Sequence, residues 1–190
     1  MGVVKLSTAG ILDYSKTSNF LSGNAPVSFG AFDLLETVSL TSSAASVTFS
    51  GLDAYSDYKH LQIRGEFSQS GGDVIFMRFN GVSTTSYAWH NLSGGRFSTA
   101  ESEAGSSVSY MRLGVSPGSA RTGLVCDLLD YSSNVKNTTG RWLFGQTDGP
   151  RIVLGSGGFF NTAAVSSLSL HASSGYSFQS LSRFSLYGVK

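Results

Sequence analysis

The chain has 190 residues and a formal net charge of +1, with 41% apolar and only 13% charged residues. That length suits one domain, or one domain plus an arm, and needs no disulfide or metal for a core. The near-neutral charge excludes binding driven by phosphate neutralisation, and the single cysteine, Cys126, excludes an intrachain disulfide and multi-cysteine metal motifs.

Residues 1–33 differ from the rest. Val3, Val4, Leu6, Ile11, Leu12, Phe20 and Leu21 are apolar without a sustained period, and Pro26 breaks any strand near it. The segment reads as an N-terminal arm that orders on a neighbouring subunit, or as a first strand with loops. Those seven residues are the candidate assembly contacts. No charged-then-apolar leader opens the chain, and no apolar run approaches the ~18 residues of a membrane span. The expectation is synthesis in the cytoplasm, without a membrane partner.

Residues 34–190 are expected to form a β-sandwich domain. Leu34–Leu40 and Val47–Leu52 flank a Ser/Ala-rich turn. Leu61, Ile63 and Phe67 then alternate with Gln62, Arg64 and Glu66, the period of a strand with one wet face. Val74–Phe79 and Tyr87–His90 follow, separated by Asn80-Gly81, which tolerates positive φ and so favours a tight reversal. Gly94–Ser107 is rich in Ser and Gly, holds Glu101 and Glu103, and reads as an exposed loop. Val108–Val115, Thr122–Tyr131, Gly140–Gln146, Arg151–Leu154, Val165–Ala172 and Arg183–Val189 are further strands. About ten short strands with no amphipathic helix predict an all-β, antiparallel, jelly-roll-like sandwich with an extended N-terminal arm.

The motifs that carry chemistry fail one by one. Gly114-Val115-Ser116-Pro117-Gly118 matches a nucleophile elbow, but Pro117 has no N–H to give an oxyanion. Gly155-Ser156-Gly157-Gly158 lacks the lysine and helix of a phosphate loop and reads as a hairpin turn. His60, His90 and His171 stand far apart, in no metal-ligand spacing. Asp127 with Asp130, and Glu101 with Glu103, are carboxylate pairs without a visible cleft between them. Asn91-Leu92-Ser93 and Asn137-Thr138-Thr139 match glycosylation acceptors and read as polar loops. Catalytic, cofactor and metal sites are therefore none. Tyr55, Tyr58, Tyr87, Trp89, Tyr110, Tyr131, Trp142 and Tyr176 are expected to fill the core and interfaces, with a carbohydrate-stacking platform as the alternative.

Four phrases in order carry a family resemblance. They are Tyr58-Lys-His-Leu-Gln-Ile-Arg-Gly65, then Arg78-Phe-Asn-Gly81 with Tyr87-Ala-Trp-His-Asn-Leu92. Leu128-Leu-Asp-Tyr131 with Asn137-Thr-Thr139, and Ser182-Arg-Phe-Ser-Leu-Tyr-Gly-Val-Lys190, complete the set. Together they resemble small virion structural proteins of tailed bacteriophages. The resemblance implies a non-enzymatic jelly-roll module on the virion, a homo-oligomer with trimers favoured. The partners would be the major capsid protein or other virion proteins, with host glycan a further possibility and no nucleic acid. A capsid decoration or cement protein is the first expectation. The alternative is a tail-associated fibre tip, nozzle or baseplate module that binds host-surface glycan. Brevity favours the first, because no shaft, collagen-like repeat or heptad run gives a fibre its reach.

Overall fold

A computed structural model describes residues 31–95, 98–147 and 151–190. The seven candidate contacts between Val3 and Leu21 lie outside the described residues, as does nearly all of the arm. The unit Leu34–Lys190 is almost entirely strand and turn.

Twelve strands occur among the described residues: β1 Phe32–Ser39, β2 Ser46–Ser50, β3 His60–Phe67, β4 Gly72–Phe79, β5 Tyr87–Gly95 and β6 Ser98–Val108. They continue as β7 Met111–Pro117, β8 Thr122–Leu129, β9 Thr138–Gln146, β10 Arg151–Phe159, β11 Ser167–Ala172 and β12 Arg183–Val189. A single turn of 3-10 helix covers Leu52–Tyr55. Burial alternates strictly in β2, in β8 and in β9 from Thr138 to Phe144, which is the sandwich signature of one face in and one face out.

The strands form an eight-stranded sheet in the order β1-β12-β3-β8-β9-β10-β5-β6 and a four-stranded sheet in the order β2-β11-β4-β7. The winding is legible in those orders. Strands β1 to β4 alternate between the sheets, and their partners come back in reverse: β4 with β7, β3 with β8, β2 with β11, β1 with β12. A long hairpin rolled on itself in this way is a jelly roll. Two further antiparallel pairs, β5–β6 and β9–β10, lengthen the larger sheet beyond β8.

Two readings of the sequence are corrected here. Gly94–Ser107 is mostly strand: β6 is an eleven-residue edge strand paired along β5. Gly155–Gly158 is the middle of β10, not a turn. Its glycine at 155 leaves room for the Trp142 indole, since a Cβ there would collide with both Trp142 Nε1 and Asn91 Oδ1. The reversal at Asn80-Gly81 holds, with φ of 51° and 65° and the Val82 N–H donating to the Phe79 carbonyl at 2.9 Å. It redirects the chain from the small sheet to the large one rather than closing a hairpin.

The core between the sheets is aromatic. Phe67 meets Phe144, Phe178 and Phe184 with ring centroids 6.0, 5.4 and 5.3 Å apart, within the range where paired rings attract. A second group joins Phe79, Tyr87 and Phe159. Each such fully buried side chain contributes roughly 1.5–3 kcal/mol. The polar ends of buried tyrosines are satisfied: Tyr87 Oη accepts from the Phe79 N–H and donates to the Val82 carbonyl. Tyr131 Oη donates to the Tyr55 carbonyl at 2.6 Å, locking the 3-10 turn, and burial, then Asp57, push its pKa up to about 12.

Candidate interaction surface

Residues that pair across neighbouring strands share a face, so the register writes out the large sheet's outer surface row by row. One row runs Leu92 (β5), Leu154 (β10), Leu143 (β9), Val125 (β8) and then Arg64 (β3). The four apolar side chains are between 38% and 55% exposed, where strand alternation would put polar residues. The next row is Gly94, Ile152, Gly145 and Gly123, with Ile152 also half exposed. On the other side lies a polar row: His90, Ser156, Arg141, Asp127, Gln62 and Tyr187.

The polar row is tied down. Gln62 Nε2 donates to Asp127 Oδ1 and Arg64 Nε donates to Gln62 Oε1, both at 2.7 Å. The Arg64 guanidinium lies 4.5 Å from the Tyr187 ring centroid, and Arg141 stands 3.7 Å from Asp127. Fixing these side chains lowers the entropy still to be lost when a partner arrives. Two shallow concavities flank the apolar row. One of about 450 Å³ is lined by His90, Leu92, Ser102, Ala104, Leu154 and Ser156. The other, of about 300 Å³, lies among Arg64, Glu66, Arg183, Ser185 and Tyr187.

Two further ion pairs lie at the sheet's inner margin. Arg112 pairs with Glu103 at 3.1 Å and Arg151 with Glu101 at 2.9 Å, fastening edge strand β6 to β7 and β10. Asn91, read from sequence as a loop residue, is buried here. Its Oδ1 accepts from Trp142 Nε1 and its Nδ2 donates to the Arg112 carbonyl, both at 3.0 Å. The void beside these groups is about 10 Å³, room for no more than one water. It takes no substrate.

The other candidates disperse. His60 Nδ1 accepts from the Asp130 N–H, His90 faces outward on β5, and His171 stacks on Phe76 at 5.0 Å in the small sheet. Burial, and then Arg78, lower the His171 pKa. Among the described residues no group of three or more His, Cys, Asp and Glu is placed to hold a metal ion. Ser116 is buried with its Oγ 3.2 Å from Thr122 Oγ1, and Gly118 turns the chain at φ 89°. Cys126 is buried, and burial, then Asp127, raise its thiol pKa. Tyr87, Trp89, Tyr131 and Trp142 belong to the core, and Tyr110 leans on Phe76 at 4.7 Å. The eight aromatics make no single stacking platform.

The exposed apolar row was missed in the sequence, although a trace of it is there. Trp142-Leu143-Phe144 and Ile152-Val153-Leu154 are apolar at consecutive positions, which makes both faces of β9 and β10 apolar.

No family model, curated protein or solved structure matches this chain. What the surface does is therefore argued from its own chemistry. It is an open sheet face that sets an exposed apolar row beside a hydrogen-bonded polar row, a layout that suits a protein–protein contact.

Proposed function

We propose that this chain is a virion structural protein of a tailed bacteriophage, most simply a capsid decoration or cement protein. In this role it is not an enzyme; it binds the outer shell as a homo-oligomer and stiffens it. The observation that carries the reading is the outward face of the eight-stranded sheet, where Leu92, Val125, Leu143, Ile152 and Leu154 are exposed on a rigid jelly roll. A catalyst concentrates reactive groups in a cleft, whereas an assembly module offers a broad preformed surface. The phrases behind the phage resemblance support the same reading. They fall on β3, on the β4–β5 passage, on the ends and joint of β8 and β9, and on β12, all in the sandwich itself. A surface with few charges suits dense packing on a particle, where like charges on neighbouring copies would repel.

The test is labelled-antibody imaging of phage particles purified from cells that express this chain. Label over the capsid is the expected result. Label confined to the tail transfers the protein to the host-recognition role, and particles without label end the virion reading.

A further inference from the structure

We infer that the outer face of the eight-stranded sheet is where a second copy of this chain docks, sheet face against sheet face. Three observations lead there. The first is the apolar row with Ile152 beside it: five large side chains on four adjacent strands, all 38–55% exposed. Open antiparallel sheets alternate apolar-in with polar-out, so an outward apolar row is unpaid for in the monomer.

The second is the row of glycines. Glycine weakens a strand interior and marks places where another backbone comes close. Elsewhere in this sheet the close neighbour is internal, as with Gly155 under Trp142. At Gly94 and Gly145 an added Cβ would meet nothing within 4 Å, and at Gly123 only the Gly145 carbonyl oxygen at 4.0 Å. None of the three has a left-handed φ. Among the described residues nothing explains the missing side chains; an approaching neighbour does.

The third is self-matching. Ile152 rises between Gly94 and Gly145, beside the floor made by Gly145 and Gly123. A knob and a hollow on one patch are what an isologous contact requires, each copy's knob entering the other's hollow. The charges surrounding the apolar centre are of both signs, Arg64, Arg141 and Arg183 with Asp127 and Glu66, so the face does not repel its own copy. The size also fits. From β3 to β6 the face spans six strands of about eight residues, roughly 750 Å² at ordinary strand spacing and rise. A stable interface takes about 800 Å² from each partner. Twisted sheets stack this way about 10 Å apart. The contact closes as a two-fold dimer, in place of the trimer that the resemblance implies, and it stands on the sheet face without the virion reading.

Sedimentation velocity on the full chain from about 1 to 100 µM tests it. The wild type is expected to show a concentration-dependent dimer. Gly145→Arg fills the hollow without touching the monomer's interior, and Ile152→Lys removes the knob. Each should weaken dimerisation at least tenfold while circular dichroism, and the melting temperature read at a concentration too low for association, stay those of the wild type. Val135→Lys, at a still more exposed valine (78%) in the β8–β9 loop, should leave the dimer unchanged. A wild type that is monomeric at 100 µM overturns the inference, as does association indifferent to both substitutions. A monomer that still coats capsids would overturn it and leave the virion role standing.

Discussion

The two faces of the eight-stranded sheet use the same residue types for opposite ends. On the inner face, glycine makes room for rings: a Cβ at Gly65 would reach Phe184 at 3.0 Å, and one at Gly105 would reach Trp89 Nε1 at 2.7 Å. On the outer face, Gly94, Gly123 and Gly145 make room for no side chain among the described residues. Leucine divides likewise, with Leu61, Leu124 and Leu128 in the core and Leu92, Leu143 and Leu154 in solvent. The inner set is accounted for by packing within the sandwich, and the outer set by no packing among the described residues. That difference separates residues that hold the fold from residues available for function.

The largest effect that would break this comparison is Gly155→Val. Its branched side chain cannot coexist with the Trp142 indole and the Asn91 carboxamide. Overpacking costs 1–3 kcal/mol and the lost buried hydrogen bond a similar amount. The expected loss in urea unfolding is about 4 kcal/mol, a large share of the roughly 5–15 kcal/mol that holds a domain folded. A soluble variant with a wild-type midpoint would show that the inner face yields where the geometry makes it rigid.

Asn91→Leu comes next. It strands the Trp142 indole N–H and the Arg112 carbonyl, each of which it serves at 3.0 Å. The cost of leaving buried groups unpaired puts the loss at about 1–3 kcal/mol. A neutral result in the same unfolding assay would mean that water replaces the carboxamide and that this margin is wetter than its burial implies.

These inner-face residues also explain what was legible in the sequence. Strands such as β3 could be read because Leu61, Ile63 and Phe67 alternate with polar residues, and alternation is a local signal. Strand β6 could not, because its inward residues Glu101 and Glu103 meet Arg151 and Arg112 rather than apolar groups. The glycine run in β10 imitates a turn because the ring that needs the space, Trp142, comes from another strand. The outer apolar row escapes for the same reason. Consecutive apolar residues such as Leu143 and Phe144 show that both faces are apolar, but only the register reveals that four strands align theirs.

Titration sharpens the comparison further. Cys126 lies on the inner face of β8, where burial, then Asp127, hold the thiol protonated well above its ordinary range. Tyr131 is likewise held protonated, up to about 12. The folded state therefore binds protons that the unfolded chain releases above about pH 9 and pH 10. Stability is fully present below those values and falls as pH rises through them, at up to about 1.4 kcal/mol per pH unit for each group. Unfolding midpoints from pH 8 to 11 should decline, and Cys126→Ala, though less stable at pH 8, should decline less steeply. Equal slopes would place the thiol in contact with water.

The smallest effect is the most discriminating. Gly145→Val on the outer face adds a branched side chain into open space, at a strand position with ordinary φ. β-Branched residues suit strands better than glycine on a scale of about 1 kcal/mol. The monomer should therefore be unchanged or more stable by up to about 1 kcal/mol, although the identical substitution at Gly155 is expected to cost about 4 kcal/mol. A measurable destabilisation, read from urea unfolding at a concentration too low for association, would show that Gly145 serves the monomer and return the outer row to an unexplained surface. A neutral or stabilising result leaves a glycine with no packing role among the described residues, on a face whose apolar side chains they leave exposed, and contact with a second copy then accounts for both.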